Sequence, residues 1–113
     1  MTPVSASLRP VRVTRRAVYG LFRGAGFPMK CYLLLKFRMC PILRIEAYVP
    51  DGCDILDLGC GNGLFTAILK LGSPDRKIIG IDLDARKITA ARRFLGKLRG
   101  VDFRLGNVVS APY

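Results

Sequence analysis

Histidine is absent from this chain of 113 residues, which removes the commonest general base. Acidic residues are scarce. Eight Asp and Glu stand against 19 Lys and Arg, for a net charge of +11. Four cysteines are present, Cys31, Cys40, Cys53 and Cys60, with no C-x-x-C pair among them. A zinc site would need four thiolates at unfamiliar spacings, so no metal site is expected. A disulfide framework does not suit a chain that is 50% hydrophobic, and reduced thiols fit a cytoplasmic protein. Long apolar runs are missing as well. The most membrane-like stretch, Cys31-Tyr32-Leu33-Leu34-Leu35, is bracketed by Lys30, Lys36 and Arg38. It falls far short of the ~20 residues a spanning helix needs. No signal-peptide pattern, internal repeat or low-complexity segment is visible.

What is present divides into two segments. Residues 1–50 carry nine Lys/Arg and one acid, Glu46, a net of +8. Residues 51–113 carry ten Lys/Arg and seven Asp, a net of +3. A basic N-terminal helical segment joined to a near-balanced domain is expected. The basic segment suits nucleic acid, an anionic membrane surface or an acidic substrate. The same residues would also serve as the solvated face of a helical layer packed on the domain.

In the first segment, Ala17, Val18, Leu21 and Phe22 fall at helical spacing. Gly24 and Gly26 interrupt, Pro28 opens a second helix, and Pro41 starts a third over 42–48. After the turn Pro50-Asp51-Gly52 the rhythm changes. Cys53–Leu58 reads as a first strand, 63–71 as a helix stopped by Gly72, and Lys77–Leu83 as a second strand. Ala85–Leu98 reads as a helix with Asp84 as N-cap and Gly100 as stop, and Val101–Leu105 as a third strand. The succession β-α-β-α-β implies parallel strands with right-handed crossovers. The apolar runs of the first two strands fit burial on both faces. The expected class is α/β, a three-layer Rossmann-like fold with a parallel sheet of about three strands, preceded by N-terminal helices.

The stretch Asp57-Leu58-Gly59-Cys60-Gly61-Asn62-Gly63 lies between the first strand and its helix. Ligands bind in that crevice of such sheets. Glycines allow sharp turning and close backbone approach, and the helix that follows attracts anionic groups. The dinucleotide fingerprint G-x-G-x-x-G/A fails in both registers, at Leu64 and at Thr66, and the phosphate-loop pattern is absent. Asp82 ends the second strand, 19 residues beyond Gly63, where a carboxylate can accept hydrogen bonds from a ribose diol.

These residues, with Ile81-Asp82-Leu83, resemble the first half of a class I S-adenosylmethionine-dependent methyltransferase over residues 53–107. The resemblance implies S-adenosyl-L-methionine as cofactor. It implies that Asp57, Gly59, Gly61 and Gly63 line the methionine part, that Cys60 and Asn62 of the same loop belong to the cofactor site, that Asp82 holds the ribose hydroxyls, and that Leu83 packs on the adenine. Asn107 stands where the family often has an acid near the adenine amino group. The family's sheet continues into a fourth strand beside the first. A partial chain, or one part of a split enzyme, is therefore expected, with the first strand an apolar edge open to pairing. No residue is nominated as catalytic base, and the methyl acceptor, small molecule or otherwise, is not specified. The alternatives are a non-catalytic cofactor-binding remnant or a basic adaptor. An aminopropyl transferase on the same fold is a further reading that no residue favours.

Overall fold

The computed structural model describes residues 10–107. Helices α1 (Arg15–Leu21), α2 (Phe27–Met39) and α3 (Ile42–Ile45) precede a 3-10 turn, Glu46–Tyr48. Then follow β1 (Asp54–Leu58), α4 (Leu64–Gly72), β2 (Lys77–Asp82), α5 (Ala85–Leu95) and β3 (Val101–Leu105). The strands form one parallel sheet in the order β1-β2-β3, with Asp57 opposite Gly80 and Gly80 opposite Phe103. Two right-handed crossovers in the same direction put α4 and α5 on the same face. Phe103 is buried there beneath Leu64, Ala67 and Ile68 of α4 and Ile88, Ala91 and Leu95 of α5.

The N-terminal helices share this core. Val18 and Phe22 of α1 and Leu33 and Phe37 of α2 belong to the same buried cluster. The Phe22 ring lies 5.5 Å from Phe94 of α5. Local signals start the helices, those at Pro28 and Asp84 as expected. Thr14 Oγ1 accepts from the Ala17 N–H at 3.2 Å, Pro28 sits in the first turn of α2, and Asp84 accepts from the N–H groups of Arg86 and Lys87.

Four expectations need correction. β1 is not buried on both faces: Leu56 and Leu58 are exposed, because the helices cover only the opposite face. The segment 42–48 is one α-helical turn followed by a 3-10 turn rather than a single helix. α5 ends at Leu95, and Leu98 lies beyond it in the turn that leads to Gly100, whose φ is 73°. Gly72 is the last residue of α4 rather than its left-handed stop.

Gly72 has a different reason. A Cβ there would collide with the carboxylate of Glu46, which is fully buried. Glu46 accepts from Arg76 Nη1 at 2.8 Å and from Arg12 Nη2 at 3.0 Å. Arg76, also fully buried, donates to the carbonyls of Leu69, Val49 and Pro50. Asp51 and Glu46 beside Arg12 hold its guanidinium well above its ordinary pKa. This network ties the basic segment to the α4–β2 connection.

Candidate functional site

The turn after β1 is built from alternating left-handed residues: Gly59, Gly61 and Gly63 have φ of 74°, 58° and 89°. A residue with a Cβ is strained in that region. The three glycines differ in what surrounds them. A Cβ on Gly63 would sit 2.6 Å from Leu95 Cδ1 and 3.1 Å from the Phe103 ring, so this glycine lets α4 pack on α5 and β3. A Cβ on Gly59 would meet nothing within 4 Å, and one on Gly61 only the Lys87 stem at 3.9 Å. These two leave open space in front of the backbone.

Backbone bonds fix the loop over the end of β2. The N–H groups of Gly59 and Cys60 donate to the Ile81 carbonyl at 2.7 and 3.1 Å. The Gly61 N–H donates to Asp82 Oδ2 at 2.8 Å, and the Asp84 N–H to Asp82 Oδ1 at 2.9 Å. The bond from Asp84, helped by that from Gly61 and by the nearby Lys87 charge, outweighs burial and lowers the Asp82 pKa. The Leu83 N–H also contributes, and because a carboxylate has about four acceptor positions, Asp82 keeps capacity for a further donor.

Asp57 projects from β1 into the same cleft and accepts from Thr66 Oγ1 at 3.0 Å. Burial, with a contribution from the Asp82 charge, raises its pKa despite that bond. Two carboxylates, Asp57 and Asp82, share this partly desolvated cleft with two lysines of its wall, Lys36 and Lys87, so the cleft offers a ligand charges of both signs. Cys60 is buried, with its sulfur against Gly80, where a Cβ would come within 2.9 Å. Burial pushes its thiol up to about 12, so the side chain is inert and what Cys60 offers a ligand is backbone. Asn62 spends an amide N–H on Met29 Sδ of α2, at 3.3 Å.

The cleft encloses about 320 Å³ and brings Asp57, Gly59, Cys60, Gly61, Asn62 and Asp82 together. Gly63 stands behind them as the N-cap of α4. Leu83 and Asn107 are exposed and outside this lining. Both lie at the same sheet end, because the Gly106 N–H bonds the Asp82 carbonyl at 3.0 Å. Sequence reasoning did not place Tyr32, Lys36, Phe65 and Lys87 in the wall, nor Thr66 behind it. The i, i+4 spacing of Tyr32 and Lys36 on α2 was the available signal for two of them. A larger groove of about 420 Å³, between α1 and α2 beside Tyr19, Arg23 and Lys30, holds no carboxylate and no glycine loop. Among the described residues no His/Cys/Asp/Glu cluster could hold a metal ion.

Fold and site together define an α/β domain with a nucleoside-sized cleft at the carboxyl ends of its strands. Residues 50–113 match the methyltransferase domain family, and the chain belongs to it. The ribosomal protein L11 methyltransferase of Acetivibrio thermocellus is 37% identical over 65 residues, which are 57% of this chain and 20% of that protein. The chain spans about a fifth of the length of the curated relatives it matches. Coclaurine N-methyltransferase, solved with N-methylheliamine and SAH, shares the fold with a TM-score of 0.57 at 19% identity, over 69% of this chain and 24% of that one. The plantazolicin methyltransferase, solved with SAH, superposes with a TM-score of 0.54 at 18% identity, over 87% of this chain and 41% of that one.

Proposed function

We propose that the cleft binds S-adenosyl-L-methionine and that the chain is the cofactor-binding part of a methyltransferase. The observation that carries this reading is the contrast among the glycines. Gly59 and Gly61 hold left-handed backbone that glycine adopts freely, with open space in front of Gly59 and only the Lys87 stem near Gly61, a cradle that a Cβ would invade. The residues fit the cofactor's chemistry. Asp82 offers an acceptor to a ribose diol while its other lone pairs lock the loop. Asp57 supplies negative charge on the wall for a ligand that bears an ammonium and a sulfonium. Leu83 extends an apolar side chain next to Asp82, where adenine would lie, and Asn107 offers its amide at the same sheet end.

When bound, the cofactor supplies the electrophilic methyl group. This chain's residues bind it, orient it and hold the loop rigid. The relatives' names point to different acceptors, ribosomal protein L11 in one case and coclaurine in another. The acceptor therefore does not carry over. The cationic N-terminal segment favours an anionic partner.

Calorimetric titration with S-adenosylhomocysteine tests the reading. Wild type should bind at one site. Asp82→Ala should lose about tenfold or more in affinity, the worth of one to two charge-assisted hydrogen bonds. Equal affinity in wild type and Asp82→Ala, with both folded by circular dichroism, would remove the ribose assignment.

A further inference from the structure

The outer face of α2 is built unlike a solvent-facing helix. Its sequence, FPMKCYLLLKFRM, carries apolar residues on every side, interrupted only by Lys30, Lys36 and Arg38, more apolar surface than one buried stripe requires. Here only Leu33 and Phe37 are buried. Phe27, Leu34, Leu35 and Met39 are exposed, Phe27 and Met39 by 78% and 76%. Successive residues advance about 100° around the axis, which spreads these four over one broad outward arc, with Leu35 and Met39 opposite Leu33 and Phe37 and Leu34 at the arc's near edge. Arg38 lies among them and Lys30 on one border. Such a contiguous apolar patch marks an interaction site.

The charge around the patch selects the partner. Residues 10–45 contain eight Lys/Arg and no Asp or Glu. Arg12 is engaged with Glu46 and Asp51. The exposed Arg23 and Lys30 line one groove together with Leu34, so cations border the patch directly. A second copy would bring two cationic surfaces together. Phosphates alone would leave the four apolar side chains in water. The interface of an anionic bilayer satisfies both features, because apolar side chains enter the acyl boundary while Lys and Arg meet the headgroups. The 13 residues of α2 extend about 20 Å, short of the ~30 Å hydrocarbon core. Among the described residues no helix is long and apolar enough to cross a membrane.

We propose that α2 is a membrane-docking helix that lies in the interface of an anionic lipid bilayer through Phe27, Leu34, Leu35 and Met39. Another part of the same helix reaches the cleft. Met29 accepts from Asn62, and Tyr32 and Lys36 stand in the cleft wall. Docking would hold the cleft beside the headgroups. The proposal does not rest on the identity of the cofactor.

Vesicle flotation decides it, with vesicles of phosphatidylcholine alone and of equal phosphatidylcholine and phosphatidylserine. Wild type should float with the mixed vesicles, weakly with the neutral ones, and less as salt rises. The double variant Leu34→Ser/Leu35→Ser should lose at least about tenfold in partition, since both side chains leave the acyl boundary. Lys30→Glu/Arg38→Glu should lose binding to the mixed vesicles selectively. Circular dichroism and S-adenosylhomocysteine titration of each variant separate lost docking from lost folding and from the cofactor site. Three results overturn the proposal. One is equal flotation of wild type and the leucine variant. Another is no preference for the anionic vesicles. The third is a concentration-dependent wild-type dimer that the leucine variant abolishes, which would assign the patch to a second copy.

Discussion

The Gly61 N–H donates to Asp82 Oδ2 across 2.8 Å, so the acid at the end of β2 holds the glycine loop at the end of β1. One carboxylate thereby has two tasks, fixing the loop and facing the cleft. Asp82→Asn separates them in part. An amide keeps one acceptor oxygen and cannot serve both backbone N–H groups and a diol. The variant should stay folded, and its affinity for S-adenosylhomocysteine should fall about tenfold. Calorimetry alongside a melting curve checks both statements.

The two cleft acids titrate in opposite directions from the ordinary value of about 3.9. The Asp82 pKa is lowered, so its contribution is complete above that value and is lost as pH falls through its own lower pKa. The Asp57 pKa is raised by burial. Its proton binds first on acidification, and the fold then gains rather than loses, because a buried charge is discharged. Affinity for a cationic cofactor should therefore fall in acid in two phases. The earlier phase should be absent in Asp57→Asn, which keeps an acceptor for Thr66 Oγ1. Titrations across the acid range read this directly. An unchanged two-phase profile in Asp57→Asn would contradict the assignment.

Gly59 and Gly63 should respond differently to alanine. Gly59→Ala meets only backbone strain, about 1 kcal/mol, and should lower stability slightly while blocking the cradle. Gly63→Ala adds overpacking against Leu95 and Phe103 to the same strain, for a loss of about 2 kcal/mol or more. Denaturant melts rank the two. A larger loss from Gly59→Ala would mean that its open side is misjudged.

Glu46→Ala should be the most destabilising single change outside the apolar core. It removes the buried partner of the Arg76 guanidinium and leaves only the exposed Asp51 carboxylate at 3.7 Å, at a cost of about 3 kcal/mol. Glu46→Gln should cost less, because an acceptor oxygen remains. Thermal melts of both variants check the order.

Cysteine chemistry gives a check on burial. At pH 8 Cys31, which is exposed, should be alkylated readily by iodoacetamide. Cys60, with its thiol pushed up to about 12, should be protected until the chain unfolds. Mass spectrometry of the peptides distinguishes the two sites.

Much of this architecture was legible in the sequence because local rules decide it. The three glycines announced their turn through a backbone conformation that only glycine adopts freely. Asp82 and Asp84 declared the end of β2 and the start of α5 through capping chemistry. Contacts between distant segments were not legible. Gly72 resembled a helix stop, but its purpose is to admit Glu46, which lies 26 positions earlier in the chain. The bond from Arg12 to Glu46 spans 34 positions, and that from Arg76 spans 30. No local pattern encodes such pairing. β1 read as buried on both faces because an apolar run gives no count of how many faces have cover. Leu98 fitted the helical period of α5, but the helix had already ended at Leu95. Asn62 stands in the cleft wall, while its amide also reaches across to Met29, a contact between distant segments that the loop sequence does not encode.

The central claim is that the cleft under the glycine loop is the cofactor site. The most direct measurement is a titration of the isotope-labelled chain with S-adenosylhomocysteine, followed through its backbone amide resonances. The largest shifts should fall on Gly59, Gly61, Asn62 and Leu83, with smaller ones on the α2 residues of the cleft wall, Tyr32 and Lys36. Shifts centred on the groove beside Tyr19, Arg23 and Lys30, with the glycine loop unmoved, would contradict the account.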